Sequence, residues 1–255
     1  MRFNILQRVV ISALCLGYLA TAPMLAHAQE TDSDGRWQFN AALYLWGAGI
    51  DGTTRTGNKF DVGLGDIIDN LDLAFMGAFE AHRSKWSLGA DVIYLDVSAE
   101  KAGTIGASSI PDNANVDLTG WILDFRGTRN VLDVERATVE ILAGARYLDV
   151  DSKLTLRLGA SGPTPTATQS ASVWDGVIGV KGNLNITKKW YLPYYLDVGT
   201  GQSDFTWQGT GGVGYRFNWG NVVLVYRHMH WDFGSDSLLK DISFGGPALG
   251  TVFKF

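Results

Sequence analysis

Phe205-Thr206-Trp207-Gln208-Gly209-Thr210-Gly211-Gly212-Val213-Gly214-Tyr215-Arg216-Phe217-Asn218-Trp219 is the stretch that decides the architecture. Its odd positions carry Phe205, Trp207, Val213, Tyr215, Phe217 and Trp219, with Gly209 and Gly211 between, while its even positions carry Thr206, Gln208, Thr210, Arg216 and Asn218. A period of two belongs to an extended strand, whose successive side chains point to opposite faces. One face of this strand is aromatic and the other polar, so the two faces meet different surroundings.

The same alternation recurs in 37–45, 71–82, 137–147, 174–184 and 190–198. Three further segments, 86–99, 115–129 and 221–233, are strand-like but alternate imperfectly, which we read as bulges. With the terminal segment 240–255 the count is ten strands, eight and twelve being the neighbouring even alternatives. Connections alternate in length. Long ones are predicted at 49–70, 101–114, 159–170 and 234–239, with a shorter fourth member at 200–204; short ones fall at 83–85, 130–135, 187–189 and 219–220. Residues 65–71 are expected to form a helical turn inside the first long connection. Aromatic residues sort to strand ends: Trp37, Trp86, Trp190, Trp219 and Phe255 at the short-turn end, and Trp174, Trp207 and Trp231 at the other. Tryptophan and tyrosine collect in this way where a lipid-facing wall meets water. The fold expected is all-β, a transmembrane antiparallel up-and-down barrel.

The N-terminus fits that location. Arg2 and Arg8 bracket a basic start, an apolar run follows over 9–19, and Ala26-His27-Ala28 supplies small residues for a signal-peptidase cut. The run is too short for a spanning helix of roughly 20 residues. Residues 1–28 are therefore read as a signal peptide and 29–255 as one barrel domain. Cys15, the only cysteine, leaves with the peptide, so neither a disulfide nor a thiolate metal site is expected in the exported chain. The formal charge of −5 becomes −7 when Arg2 and Arg8 are lost, since 1–28 holds no acidic residue. An acidic chain of this kind is a poor partner for nucleic acid. The 46% hydrophobic content, with no second long apolar run, suits a barrel that hides apolar residues at alternate positions.

The C-terminal stretch Phe244-Gly245-Gly246-Pro247-Ala248-Leu249-Gly250-Thr251-Val252-Phe253-Lys254-Phe255 ends in an aromatic residue with Leu249, Thr251 and Phe253 on the same face. It resembles the terminal signal read by the barrel assembly machinery of Gram-negative bacteria. The chain from 29 onward resembles small outer-membrane barrels of the OmpA/OmpW-like type. Ala41-Ala42-Leu43-Tyr44-Leu45-Trp46, Gly144-Ala145-Arg146-Tyr147 and Trp190-Tyr191-Leu192-Pro193-Tyr194-Tyr195 narrow that to a proteobacterial group of unassigned function. The resemblance implies residence in the outer membrane, with its lipid and lipopolysaccharide as surroundings and the assembly machinery as a partner through Phe255. It implies an architecture and no reaction.

Two sets of residues could carry chemistry. The polar faces would bring Asp72, Glu80, Asp124, Arg126, Glu140, Arg146, Asp175, Lys181, Asp197, Arg216 and Arg227 into one lumen. Nearly balanced charges in a narrow barrel pair with each other, because a lone buried charge is costly, and ten strands lie far below the 16 or more typical of an open channel. The second set is His228, His230 and Asp232, which share one strand face near the long-loop end. Two histidines and a carboxylate could bind a divalent metal or act as acid and base; an interfacial cluster without chemistry is the simpler reading. No glycine-rich phosphate cradle or Gly-x-Ser-x-Gly elbow is present, and no cofactor is implied. Three functions follow in order: a non-enzymatic barrel that supports the envelope or passes small solutes, a protease or lipid hydrolase using the His/Asp rim, and a surface-binding protein acting through 49–70.

Overall fold

The computed structural model describes residues 35–54, 57, 59–104, 111–158, 166–234 and 239–255, so the expected signal peptide, 1–28, lies outside it. The described elements are β1 (Gln38–Trp46), β2 (Gly49–Thr54), β3 (Lys59–Val62), α1 (Leu64–Asp69), β4 (Leu71–Arg83), β5 (Trp86–Thr104), β6 (Pro111–Val134), β7 (Ala137–Leu158), β8 (Thr166–Asn185), β9 (Trp190–Gly201), β10 (Phe205–Arg216), β11 (Asn221–Asp232) and β12 (Leu239–Lys254). Ten of these strands, β1 and β4 to β12, form an antiparallel barrel in which each strand pairs with the next in sequence. Pairing of β1 with β12, from Asn40↔Lys254 to Trp46↔Ala248, closes the ring. Closure removes the free edges that an open sheet would expose.

The remaining hairpin, β2 and β3, was not foreseen. It continues along the upper half of β12, from Gly245↔Gly49 to Leu239↔Thr54, and leads into α1, which matches the helical turn expected at 65–71. The wall is also taller on one side than expected. β6 and β7 run 24 and 22 residues, whereas β9, β10 and β11 have 12 each. Thr104 still pairs with Pro111, so most of the long connection assigned to 101–114 is strand, and only 105–110 lies outside the described residues. The connection assigned to 159–170 likewise gives its last residues to β8.

Alternation sets the two faces as the sequence predicts. Leu45, Phe75, Ile141, Ile178, Leu224 and Leu249 point outward and are about half exposed or more. Such a wall is stable in hydrocarbon and not in water. Aromatic rings bound it above and below. The upper belt contains Tyr94 against Trp121 at 4.5 Å and Tyr147 against Trp174 at 4.8 Å. The lower one runs through Trp190, Tyr215, Phe217, Trp219 and Phe253, each ring within 6 Å of the next. Trp231 is a correction: expected in the upper belt, it points into the lumen and is fully buried.

The imperfect alternation of 86–99, 115–129 and 221–233 also has another cause than bulges. β5 and β6 pair without a register break over their length. Their inward positions Ile93, Val97 and Ile122, together with Met229 and Trp231 of β11, are apolar because they belong to a core that fills the upper lumen. The shifts that do occur lie at Leu71/Leu73, Asn130/Leu132 and Leu239/Asp241.

Candidate functional site

The lumen is built in two layers. Arg146 of β7 sits at the centre of the lower one, with none of its surface exposed. Its Nε and Nη2 donate to Asp124 Oδ2 at 3.1 and 2.9 Å, its Nη1 donates to Asp197 Oδ1 at 3.0 Å, and its Nη2 also reaches Asp197 Oδ2 and, at 2.9 Å, Gln208 Oε1. One guanidinium thus ties β7 to β6, β9 and β10. A planar fork of five donors suits this task better than a lysine's point charge would. Asp124 also receives Arg126 Nη1 at 3.2 Å, and Asp197 accepts the Tyr195 hydroxyl.

Arg227 of β11 forms a second centre. Its Nη1 lies 2.9 Å from Asp91 Oδ2 and 3.2 Å from the Tyr44 hydroxyl, which itself donates to Asp91. Arg227 Nη2 meets Gln208 Oε1 at 3.4 Å, so Gln208 bridges the two arginines. Below them Lys181 pairs with Glu80 and, at 3.4 Å, with Glu140; Glu140 accepts the Thr128 hydroxyl at 2.7 Å, and His82 Nδ1 lies 3.6 Å from Glu80. Buried charges are tolerated where every one has an opposite partner and further hydrogen bonds.

Eight of the eleven charged residues named from sequence therefore meet in the lumen: Glu80, Asp124, Arg126, Glu140, Arg146, Lys181, Asp197 and Arg227. Three do not join an ion pair among the described residues. Asp72 is exposed at the register shift of β4. Asp175 is buried but accepts the Ser203 backbone N–H at 2.9 Å. Arg216 donates to Asn185 Oδ1 at 2.7 Å and lies 4.3 Å over the Tyr191 ring, which occupies the space left by Gly214. Asp91, Tyr44, Tyr195 and Gln208 were missed. Their inward parity was legible, since Asp91 alternates with Ser87 and Gly89, but a single carboxylate in an apolar segment gave no reason to single it out.

Above this layer the lumen turns apolar. Trp231 and Met229 are completely buried, and Leu148, Ile122, Ile93, Phe244 and Trp46 join them. Arg227 stacks 5.1 Å from the Trp46 ring and Arg146 lies 5.9 Å from that of Trp231, so cation–π contacts join the layers. Ile67 of α1 and Ile50 of β2 complete the apolar cluster from above. A cavity of about 160 Å³ remains in the lower half, beside Asn40, Ala42, Glu80 and Arg126.

The three His/Asp rim residues lie close together on β11 without a common hydrogen-bond partner. His228, His230 and Asp232 share the outward face of β11, but each has a different neighbour. His228 stacks on Trp207 at 4.9 Å, His230 Nδ1 lies 2.9 Å from Ser243 Oγ, and Asp232 Oδ1 accepts the Gly234 N–H at 2.9 Å. Among the described residues no group of three or more His, Cys, Asp or Glu side chains is placed to hold a metal.

No family model and no curated protein matches the sequence. Solved structures that resemble the fold are the outer membrane protease OmpT from Escherichia coli (10% identity, 90% of this chain and 100% of that one, TM-score 0.47) and the translocator domain of the autotransporter NalP from Neisseria meningitidis (14%, 98% and 95%, 0.48). A third is Ail, the attachment invasion locus protein of Yersinia pestis (9%, 87% and 99%, 0.37). Likenesses at this level assign no activity.

Proposed function

We propose that this chain is a closed, non-enzymatic barrel of the outer membrane that stabilises the envelope and does not form an open channel. The observation that carries the reading is the fully buried Arg146, held across the lumen by Asp124, Asp197 and Gln208 beneath a fully buried Trp231. A solute crossing the lumen would have to part both an ion-pair network and an apolar plug. The apolar outer wall between two aromatic belts supports the membrane location, with the short turns and Phe255 toward the periplasm. Export through a cut after Ala28, insertion by the assembly machinery through the segment ending at Phe255, and contact with lipopolysaccharide belong to the same proposal.

Purified protein in planar bilayers is expected to show no long-lived openings, and to run differently on SDS gels with and without boiling. Large, stable wild-type channels would overturn the closed reading. Recovery as a detergent-free periplasmic protein would overturn the membrane one. The contact of His230 with Ser243 favours one second reading, a lipid hydrolase on the outer wall, because a histidine beside a hydroxyl is the minimal unit of an activated nucleophile. Phospholipid hydrolysis that disappears in Ser243→Ala and His230→Ala would move that reading to first place.

A further inference from the structure

Charge is distributed unequally between the two rims of the barrel. The turns at the lower rim and the residues that flank them carry Arg83, Lys85, Arg129, Arg136, Lys188 and Lys189, against Asp133 and Glu135. At the upper belt the outward faces of β5, β6 and β7 carry Asp96, Asp117, Asp149 and Asp151, against Lys153. Lipid headgroups at the two levels therefore meet opposite charge.

On the lower rim the cations are joined to the aromatic belt. Arg83 of β4 pairs with Trp86 of β5, and Trp86 pairs with Arg129 of β6, so the three side chains stand in one outward row. Arg129 lies 5.3 Å from the Trp86 ring and Arg83 lies 5.9 Å from that of Trp37, which extends the row to Trp37, Arg83, Trp86, Arg129. A further contact of this kind, Lys189 at 5.8 Å from the Tyr215 ring, lies farther round the same rim. Among the described residues every outward cation–π contact is at this end, and the others, made by Arg126, Arg146, Arg216 and Arg227, face the lumen.

Arg83 and Arg129 are exposed, and neither enters an ion pair among the described residues. The rings hold the two guanidinium groups at the height of the belt without neutralising them. Their donors are left for an acceptor from outside, and the oxygens of a phosphodiester match a guanidinium fork bidentately. The arginines stand two strand spacings apart, roughly 10 Å, so the row offers two phosphate positions with the Trp86 indole between them. No carboxylate stands in the row to receive an ammonium group, which favours an anionic headgroup over a zwitterionic one.

We infer that the row Trp37, Arg83, Trp86 and Arg129 is a binding site for the phosphodiester headgroup of an anionic phospholipid, of the phosphatidylglycerol type, in the periplasmic leaflet. Position selects a lipid over a soluble polyanion, because both arginines are held against belt rings on the lipid-facing wall. The inference rests on the membrane location proposed above and is independent of whether the lumen conducts.

The test uses the full-length protein in phosphatidylcholine vesicles doped with a phosphatidylglycerol that carries a photoreactive diazirine on its headgroup, with adducts mapped by mass spectrometry after irradiation. Both belts meet the same lipid in such vesicles, so the upper belt is the internal control. Adducts on Trp37 and Trp86 are expected several-fold above those on Tyr94 and Trp121, and a phosphatidylcholine labelled in the same way should show no such preference. Arg83→Gln/Arg129→Gln should abolish the excess, while Arg83→Lys/Arg129→Lys should keep most of it. Equal labelling of the two belts by phosphatidylglycerol would overturn the site and leave the basic rim to a soluble polyanion; an excess that survives Arg83→Gln/Arg129→Gln would overturn it as well. A phosphatidylcholine with the diazirine on its acyl chain reads the membrane location separately, through adducts on the outward Ile178 and Leu224 in wild type and variants alike. Their absence from the wild type would overturn that location.

Discussion

The lower and upper halves of the lumen close the same space by opposite chemistry, and β7 carries both within one turn of its pleat. Arg146 lies in the charged layer and Leu148 in the apolar one, two residues apart on the inward face and both almost without exposed surface. The charged half holds its shape by direction: the Arg146 guanidinium reaches acceptors on three other strands at defined distances, and four strands are fixed relative to each other. The apolar half holds by volume, and tolerates changes in direction so long as the space stays filled. A pair of closures in series also means that neither alone decides whether the lumen conducts.

The largest effect is expected where the charged half loses its centre. Arg146→Ala leaves Asp124 and Asp197 buried without their shared partner, and removing one member of a buried pair costs about 3–5 kcal/mol. Denaturant unfolding of the variant in vesicles should show that loss, while planar-bilayer current should stay near the wild-type level because Trp231 and Met229 still fill the upper lumen. Arg146→Ala/Trp231→Ala should conduct. Current through the single variant would show that the apolar half is not a barrier in its own right.

Leu148→Ala attacks the other half at the neighbouring inward position. Truncating a buried leucine costs roughly 2–5 kcal/mol, and the spread reflects how far the surroundings collapse into the space. With the ion pairs intact, the barrel should again remain closed. A loss well under 1 kcal/mol would mean that the upper half is loosely filled, and the contrast between the halves would fail. The outer wall supplies the control on the same strand: Ile141 points outward and is about half exposed, and Ile141→Arg should cost about 2–4 kcal/mol because a cation there meets lipid. An unchanged Ile141→Arg in vesicles would show that this face does not meet hydrocarbon.

The difference between the halves also explains what the sequence could and could not disclose. Where inward residues are polar, as at Glu140 and Arg146 of β7 or Asp175 and Lys181 of β8, alternation against apolar outward neighbours marks both the strand and its face. Where inward residues are apolar, as at Ile93, Ile122, Met229 and Trp231, both faces read alike and the period disappears. The upper plug was therefore invisible as a lumen feature, and Trp231 read as one more belt aromatic. Pairing was harder still. Nothing in 49–62 announces that β2 would run along β12, or that β1 would leave β4 at Leu43, because ladders between distant segments leave no local periodicity. The rim histidines and Asp232 share one face, yet a shared face did not give them a common hydrogen-bond partner.

The smallest expected effect falls on the residue that belongs to both halves. Tyr44 packs its ring against the apolar cluster, and its hydroxyl donates to Asp91 and accepts from Arg227. Tyr44→Phe keeps the ring and removes only the hydroxyl. Asp91 and Arg227 remain joined directly at 2.9 Å, so neither charge is orphaned. The net loss should then be that of the two hydrogen bonds the hydroxyl makes, about 2 kcal/mol in all, with no change in bilayer current. A cost as large as that of Arg146→Ala would show that the hydroxyl is needed to hold Arg227 over Trp46, which would make the boundary between the layers the weak point of the lumen. No measurable cost would show that the Arg227–Asp91 pair is complete by itself and that Tyr44 contributes to the apolar half alone.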